Sequence, residues 1–171
     1  MDVAFLILRL VVGLTLAAHG AQKVFGWFQG SRIDGFATAL VRMGIKPARL
    51  WAWVAGLSEL VGGLLIALGL LWPAGPAVAV GAMLVAIITV HWAKGFFNSK
   101  GGIEFPLVIL AACVALALAG PGAYAVDRLL GFRLPEPQAA LIALVLVVLG
   151  AVGSLATRWL PESLFARPEL G

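Results

Sequence analysis

Charged residues are scarce in this sequence. Of its 171 residues, 12% are charged and 62% are hydrophobic, a balance that a water-soluble domain of this length could not cover with polar surface. We therefore expect an integral membrane protein of one domain. Twelve basic residues lie mainly in loops beside apolar runs, which favours a role in membrane orientation and argues against nucleic-acid binding.

Cysteine is nearly absent. Cys113 stands alone within an apolar run, so no intramolecular disulfide can form and the paired-cysteine chemistry of membrane thiol oxidases is excluded. We interpret this thiol as a small core residue. Nucleotide and flavin fingerprints are also missing.

Five apolar stretches approach the roughly 20 residues that a helix needs to cross a bilayer core. Glycine and proline breakers separate them. The first stretch follows Asp2 and no basic segment, so it is interpreted as a span and not as a secretory signal. The predicted fold is all-α, a transmembrane helical bundle with spans at 4–21, 50–71, 74–90, 105–119 and 139–156.

The segment between the first two spans has a different pattern. Apolar residues at helical spacing predict a short amphipathic helix on the membrane surface, with Ser31 and Asp34 as a capping box and Gly44 as its end. A loop with chance periodicity is the alternative. The apolar residues are Ile33, Phe36, Ala37, Leu40 and Val41.

Lysine and arginine are distributed unevenly outside the spans, which predicts an outside N-terminus and a cytoplasmic C-terminus. The predicted cytoplasmic set is Lys23, Arg32, Arg42, Lys46, Arg49, Lys94, Lys100, Arg158 and Arg167, against Arg128 and Arg133 on the other side. Tryptophans fit interfacial belts, with Trp72 at the outer face and the other five at the cytoplasmic face.

Ionisable residues inside spans are costly in lipid, so each is a functional-site hypothesis. Arg9 and Glu59 lie at similar predicted depth and could form an ion pair that either locks two helices or handles protons or substrate. His19, His91 and Glu104 converge on the cytoplasmic face, and Lys23 lies one turn beyond His19. The fourth span is short, which suggests that the preceding loop enters the membrane and places Glu104 in a recess.

That loop contains three glycines and the adjacent aromatics Phe96 and Phe97. Together with Phe25, Trp27 and Phe28 it could form a slot for a flat ring such as a quinone headgroup, whose oxygen a histidine can hydrogen-bond. Interface anchoring by the aromatics is an equally valid interpretation. Haem ligation by His19 and His91 is conceivable, but no further signature supports it, and the Glu-x-x-His pattern of di-iron bundles is absent. Neither haem nor metal is expected.

Several linked motifs resemble the DoxX family of bacterial membrane proteins. They are Arg9, His19-Gly20-x-x-Lys23-x-x-Gly26-Trp27-Phe28, Glu59-Leu60-x-Gly62-Gly63, His91 through Gly95-Phe96-Phe97 to Glu104-Phe105-Pro106, and Gly120-Pro121-Gly122 with Ala125-x-Asp127. The likeness covers about Phe5 to Leu130. It implies a four-helix bundle in the bacterial plasma membrane, related to subunits of quinone-linked oxidoreductases and to redox complexes with soluble partners. The span at 139–156 departs from that pattern, so we divide the chain into a DoxX-like core (1–130) and an added transmembrane helix with a cytoplasmic tail (131–171).

The favoured function is a quinone-interacting component of a membrane oxidoreductase complex. His19, Glu59, His91 and Glu104 are the candidate catalytic residues. The candidate cofactor-binding residues are Arg9, Lys23, Trp27, Phe96 and Phe97. The alternative is a non-catalytic scaffold or maturation factor that docks a soluble partner through Phe36 and Leu40. A small-solute transporter would need oligomerisation, because no internal repeat is detectable, and a second copy of the chain is therefore a further candidate partner.

Overall fold

The protein is described by a computed structural model covering residues 2–135, 137–161 and 164–165. All regular secondary structure in these residues is helical, which confirms the predicted fold class. The α-helices are α1 (Asp2–Val24), α2 (Arg32–Arg42), α3 (Ala48–Leu68), α4 (Ala74–Ala86), α5 (Glu104–Ala119), α6 (Val126–Leu130) and α7 (Gln138–Ala156).

Each predicted span coincides with a helix. Four helical segments in the described part of the chain are long and apolar enough to cross a membrane: Asp2–Val24, Ala48–Leu68, Ala74–Lys94 and Gln138–Trp159. The third of these continues α4 through a π-helical turn, Ile87–His91, and a 3-10 turn, Trp92–Lys94. The shorter α5 has 16 residues, in keeping with the short fourth span predicted.

The bundle is organised around the antiparallel pair α1 and α3. Glycines let the two backbones touch, since a Cβ on Gly13 would lie 2.5 Å from the carbonyl oxygen of Gly63, and one on Gly20 would lie 2.5 Å from the Cα of Leu60. α4 packs against α3 on one side and against α5 and α7 on others. Between them lies the apolar core, in which Cys113 is fully buried as expected.

The two ends of the bundle differ in charge. At the basic end, which holds the carboxyl ends of α1 and α7 and the start of α3, Arg158 Nε donates to the carbonyl oxygen of Met43 at 2.9 Å. At the opposite end, Asp2 Oδ1 accepts from the backbone N–H of Ala123 at 3.1 Å. The lysines and arginines predicted to be cytoplasmic fall at the basic end, apart from Arg167, which lies outside the described residues. The prediction that Trp72 lies in the outer interfacial belt is wrong, because its side chain is 3% exposed and packs in the core.

α2 is amphipathic as predicted, but its apolar face is covered by protein. Ile33 and Leu40 are buried in a cluster with Ile45 and Ala52, while Val41 is exposed. Gly44, with φ +74°, follows the helix end. The predicted capping box is wrong, because Ser31 Oγ donates to the carbonyl oxygen of Arg32 and makes no capping bond with the helix.

A buried carboxylate holds the turn between α3 and α4. Asp127 accepts hydrogen bonds from the backbone N–H groups of Leu71 at 2.9 Å and Trp72 at 2.7 Å. Its own N–H donates to the carbonyl oxygen of Gly69 at 3.1 Å. Asp127 is 2% exposed, so the short helix α6 is fixed to the bundle by three hydrogen bonds at one residue.

Replacing Asp127 with Asn should lower the free energy of unfolding by about 1–3 kcal/mol. The amide can accept from one of the two N–H groups, but its NH₂ then faces the other donor, which is left unsatisfied in a buried site. Thermal unfolding in detergent micelles would measure the change. The neighbouring exposed residue supplies the control, since Arg128→Gln should leave the melting temperature unchanged. Equal stability of D127N and the wild type would contradict the proposed fixing role.

Candidate functional site

Lys23 and Glu59 form a partly buried ion pair between α1 and α3. Lys23 Nζ bonds to Glu59 Oε1, and the ammonium also lies 5.0 Å from the centre of the Phe36 ring. The Glu59 side chain is 3% exposed, and its second oxygen, Oε2, has no hydrogen-bond partner among the described residues. The pair therefore keeps a carboxylate inside the membrane-spanning bundle with one oxygen still free to accept.

The predicted ion pair between Arg9 and Glu59 is wrong. α1 and α3 run antiparallel with Gly13 opposite Gly63 and Gly20 opposite Leu60, and this register puts Lys23 beside Glu59 and Arg9 at the far end of α3. Similar depth in the membrane was the basis of the prediction. Register along the interface, which hydropathy does not reveal, determines the actual partner.

Arg9 finds other partners at the end opposite the histidines. It is 1% exposed, and its Nη2 donates to the carbonyl oxygen of Tyr124 at 3.0 Å. The guanidinium packs against Gly69, the residue that ends α3, where a Cβ would lie 2.9 Å from Arg9 Cζ. The negative end of the α3 dipole thus faces the cation. Arg9 does not join the other candidate site residues.

His19 lies on α1 one turn before Lys23 and is exposed. Its imidazole packs against the Phe105 ring at the start of α5, with ring centres 5.6 Å apart and planes tilted by 50°. Neither ring nitrogen has a hydrogen-bond partner within residues 2–135. An unbonded imidazole beside an aromatic face, one turn from the lysine of an ion pair, can hydrogen-bond and exchange a proton with a flat ligand.

His91 and Glu104 both stabilise the loop between α4 and α5. His91 Nδ1 lies 2.7 Å from the carbonyl oxygen of Gly101, and because a carbonyl only accepts, the neutral ring carries its proton on Nδ1 and leaves Nε2 as an acceptor. Glu104 Oε2 accepts from the backbone N–H of Asn98 at 2.8 Å, and Glu104 N donates to Phe96 O. The loop is a closed, hydrogen-bonded unit.

The predicted aromatic slot forms only in part. Phe25 and Trp27 pack together, with ring centres 5.1 Å apart, and both line an open groove of about 480 Å³. Phe28, Phe96 and Phe97 do not line this groove. Phe96 and Phe97 instead stack edge to face on each other and remain exposed.

Sequence analysis missed several groove residues. Arg49 and Trp53 are four residues apart on α3 and so share one face, a spacing that could have suggested them. Arg32, which follows the loop at 26–31, gave no such signal. The full lining is Val24, Phe25, Trp27, Arg32, Ile33, Asp34, Arg49 and Trp53. Within the described chain, no group of three or more His, Cys, Asp or Glu residues has the geometry of a metal site.

Fold and site together define a polytopic helical membrane protein with a buried lysine–glutamate pair and exposed imidazole and aromatic groups at one end. The DoxX family model matches residues 4–92, and the chain belongs to that family. The match ends at Trp92, so the motifs expected beyond it, from Gly95 to Asp127, are not part of that match.

A curated relative comes from Bacillus subtilis (strain 168) and bears the name "Putative oxidoreductase CatD". The chain is 29% identical to it over 126 residues, which cover 74% of this chain and 86% of the relative. No solved structure matches significantly. The division at residue 130 into core and added helix remains a prediction.

Proposed function

We propose that this protein is a quinone-interacting membrane component of an oxidoreductase complex, with the quinone headgroup held at His19 and Phe105. The observation that supports this most is the free imidazole of His19 against the Phe105 ring, one turn from the buried Lys23–Glu59 pair. The family membership and the relative's name fit a redox setting. The donor of electrons is expected on a partner subunit.

The residues at this end can do three things for a bound ring. Phe105 supplies an apolar face, and His19 can donate to or accept from a ring oxygen. A quinone takes up two electrons and two protons when it is reduced to a quinol. Glu59 and Lys23 can hold or release a proton at Oε2 or Nζ, and the exposed His19 lies one turn from Lys23 on α1.

Purified protein should retain a quinone, and His19→Ala should weaken retention by about tenfold, the effect of losing one good hydrogen bond. Mass spectrometry of the lipid extract measures the quinone-to-protein ratio. His91→Ala should also lower retention, through the loop that His91 holds to Gly101. Leu14→Ala provides the matched control, since Leu14 is likewise exposed on α1 and should leave retention unchanged. Protein free of quinone after gentle extraction from its native membrane would refute the proposal.

We place the protein in the bacterial plasma membrane with its basic end in the cytoplasm, because short cytoplasmic loops accumulate lysine and arginine. The scaffold alternative would need a docking surface that does not include Leu40. Leu40 is buried in the cluster beneath α2, and Phe36 packs against that cluster and beneath the Lys23 ammonium. Phe36 is half-buried and so remains partly accessible.

A further inference from the structure

The groove between the end of α1, α2 and α3 has a composition unlike the quinone candidate site. Two arginines, Arg32 and Arg49, stand at its walls, and two exposed indoles, Trp27 and Trp53, accompany them. Its volume is about 480 Å³, and it is open to the surface. Apolar side chains, two indoles and two arginines in one groove suit an amphiphile with an anionic headgroup.

The groove lies at the level of the membrane interface. It sits where α1 ends and α3 begins, at the basic end of the bundle, and tryptophans favour this headgroup region. Basic pockets of this kind, between helices at the cytoplasmic side, bind phosphate-bearing lipid headgroups. We infer that the groove binds the headgroup of an anionic phospholipid, with Arg32 and Arg49 on its phosphate.

The loop that leads to Arg32 has an unusual backbone conformation, and of its three residues with positive φ only Arg32 lines the groove. Phe28, Gln29 and Arg32 all have positive φ, at 51°, 63° and 58°, a region that side chains other than glycine seldom adopt. Arg32 Nε donates to the carbonyl oxygen of Phe25 at 3.2 Å, which orients the guanidinium and leaves both terminal nitrogens available. Such strain persists where surrounding structure over-determines the conformation, and it is concentrated at ligand sites.

Asp34 determines which anionic headgroup fits best. Its carboxylate lies 3.6 Å from Arg49 Nη2, and both side chains are mostly exposed, so the pair is weak and open to rearrangement. Two arginines and one aspartate leave a net positive groove for the phosphate. The carboxylate can accept from a hydroxyl group, and phosphatidylglycerol presents both a phosphate and hydroxyls. We therefore choose phosphatidylglycerol as the probe.

The test is native mass spectrometry of the full chain from micelles that contain phosphatidylglycerol or phosphatidylcholine in equal amounts. We expect selective retention of phosphatidylglycerol and about tenfold weaker retention in the Arg32→Gln/Arg49→Gln double variant. The matched control is Arg42→Gln/Arg128→Gln, two exposed arginines outside the groove, which should retain the lipid fully. If the double variant fails to fold, Arg49→Gln alone serves, because its side chain is 75% exposed.

Several outcomes would overturn the inference. Equal retention of phosphatidylcholine would exclude headgroup recognition, and equal loss in the control variant would show that overall charge alone is responsible. Displacement of the lipid by millimolar inorganic phosphate would assign the groove to the free anion. Loss of quinone with unchanged lipid in the Arg32/Arg49 variant would assign it to the redox ligand. His19→Ala should leave lipid retention intact, so the two proposals fail separately.

Discussion

Replacing Lys23 with Met is expected to destabilise the protein by about 3 kcal/mol, at the lower end of the range for breaking buried ion pairs. Methionine fills similar volume but leaves Glu59, 3% exposed, without its cation. The carboxylate must then take up a proton or stay charged in an apolar surrounding, and both cost free energy. The lower end applies because the Lys23 side chain remains 26% exposed. Unfolding in mixed micelles, followed by circular dichroism, gives the value.

A double-mutant cycle separates the charge from the packing. Glu59→Gln in the K23M background removes the uncompensated carboxylate, so the double variant should regain most of the lost stability. If K23M/E59Q is no more stable than K23M, the loss comes from packing around Phe36 and not from the unpaired acid. A wild-type-like K23M would show that the pair contributes little to the fold.

The second large effect is expected at the α1–α3 crossing. Gly63→Val should cost about 3 kcal/mol or more, because a Cβ at Gly63 would lie 2.5 Å from both Ala17 N and Gly13 O. Those neighbours are backbone atoms, which can yield only if the helices separate. Separation would also pull Lys23 from Glu59, so quinone retention should fall together with the melting temperature.

The control for this change lies on α7. A Cβ at Gly153 would meet nothing within 4 Å, so Gly153→Ala should leave stability equal to the wild type or slightly raised, since alanine favours helix. If Gly63→Ala and Gly153→Ala had the same stability, the glycine at position 63 would matter only for backbone flexibility. Equal behaviour would contradict the backbone contact described here.

Hydropathy predicted the helices well, because the bilayer imposes a length on every crossing segment and glycine and proline end most of them. The shortness of α5 and the burial of Cys113 followed from the lengths and composition of the apolar runs. The lysines and arginines predicted to be cytoplasmic, within the described range, also fall at one end of the bundle, as their positions between spans indicated. These features depend on local sequence, so one chain suffices to predict them.

Which groups contact each other in the fold was not predictable in the same way. Helix lengths predict a similar depth for Arg9 and Glu59, yet the antiparallel register pairs Glu59 with Lys23 and brings Arg9 to Tyr124. The role of Asp127 depends on backbone N–H groups more than 50 residues away, which no pattern reveals. The aromatic slot failed for the same reason, since sequence shows which rings lie at an interface but not which of them face one another.

The π-helical turn at Ile87–His91 adds one residue to a helix that otherwise repeats every 3.6. One extra residue shifts the phase of everything after it by about 100°. The 3.6-residue periodicity of α4 therefore does not predict the direction of the His91 side chain. In the structure this side chain reaches the carbonyl oxygen of Gly101. Removing one residue from this turn would restore regular α-helix there and rotate the imidazole away from the Gly101 carbonyl. The orientation of His91 would then change although every side chain of the loop stays the same.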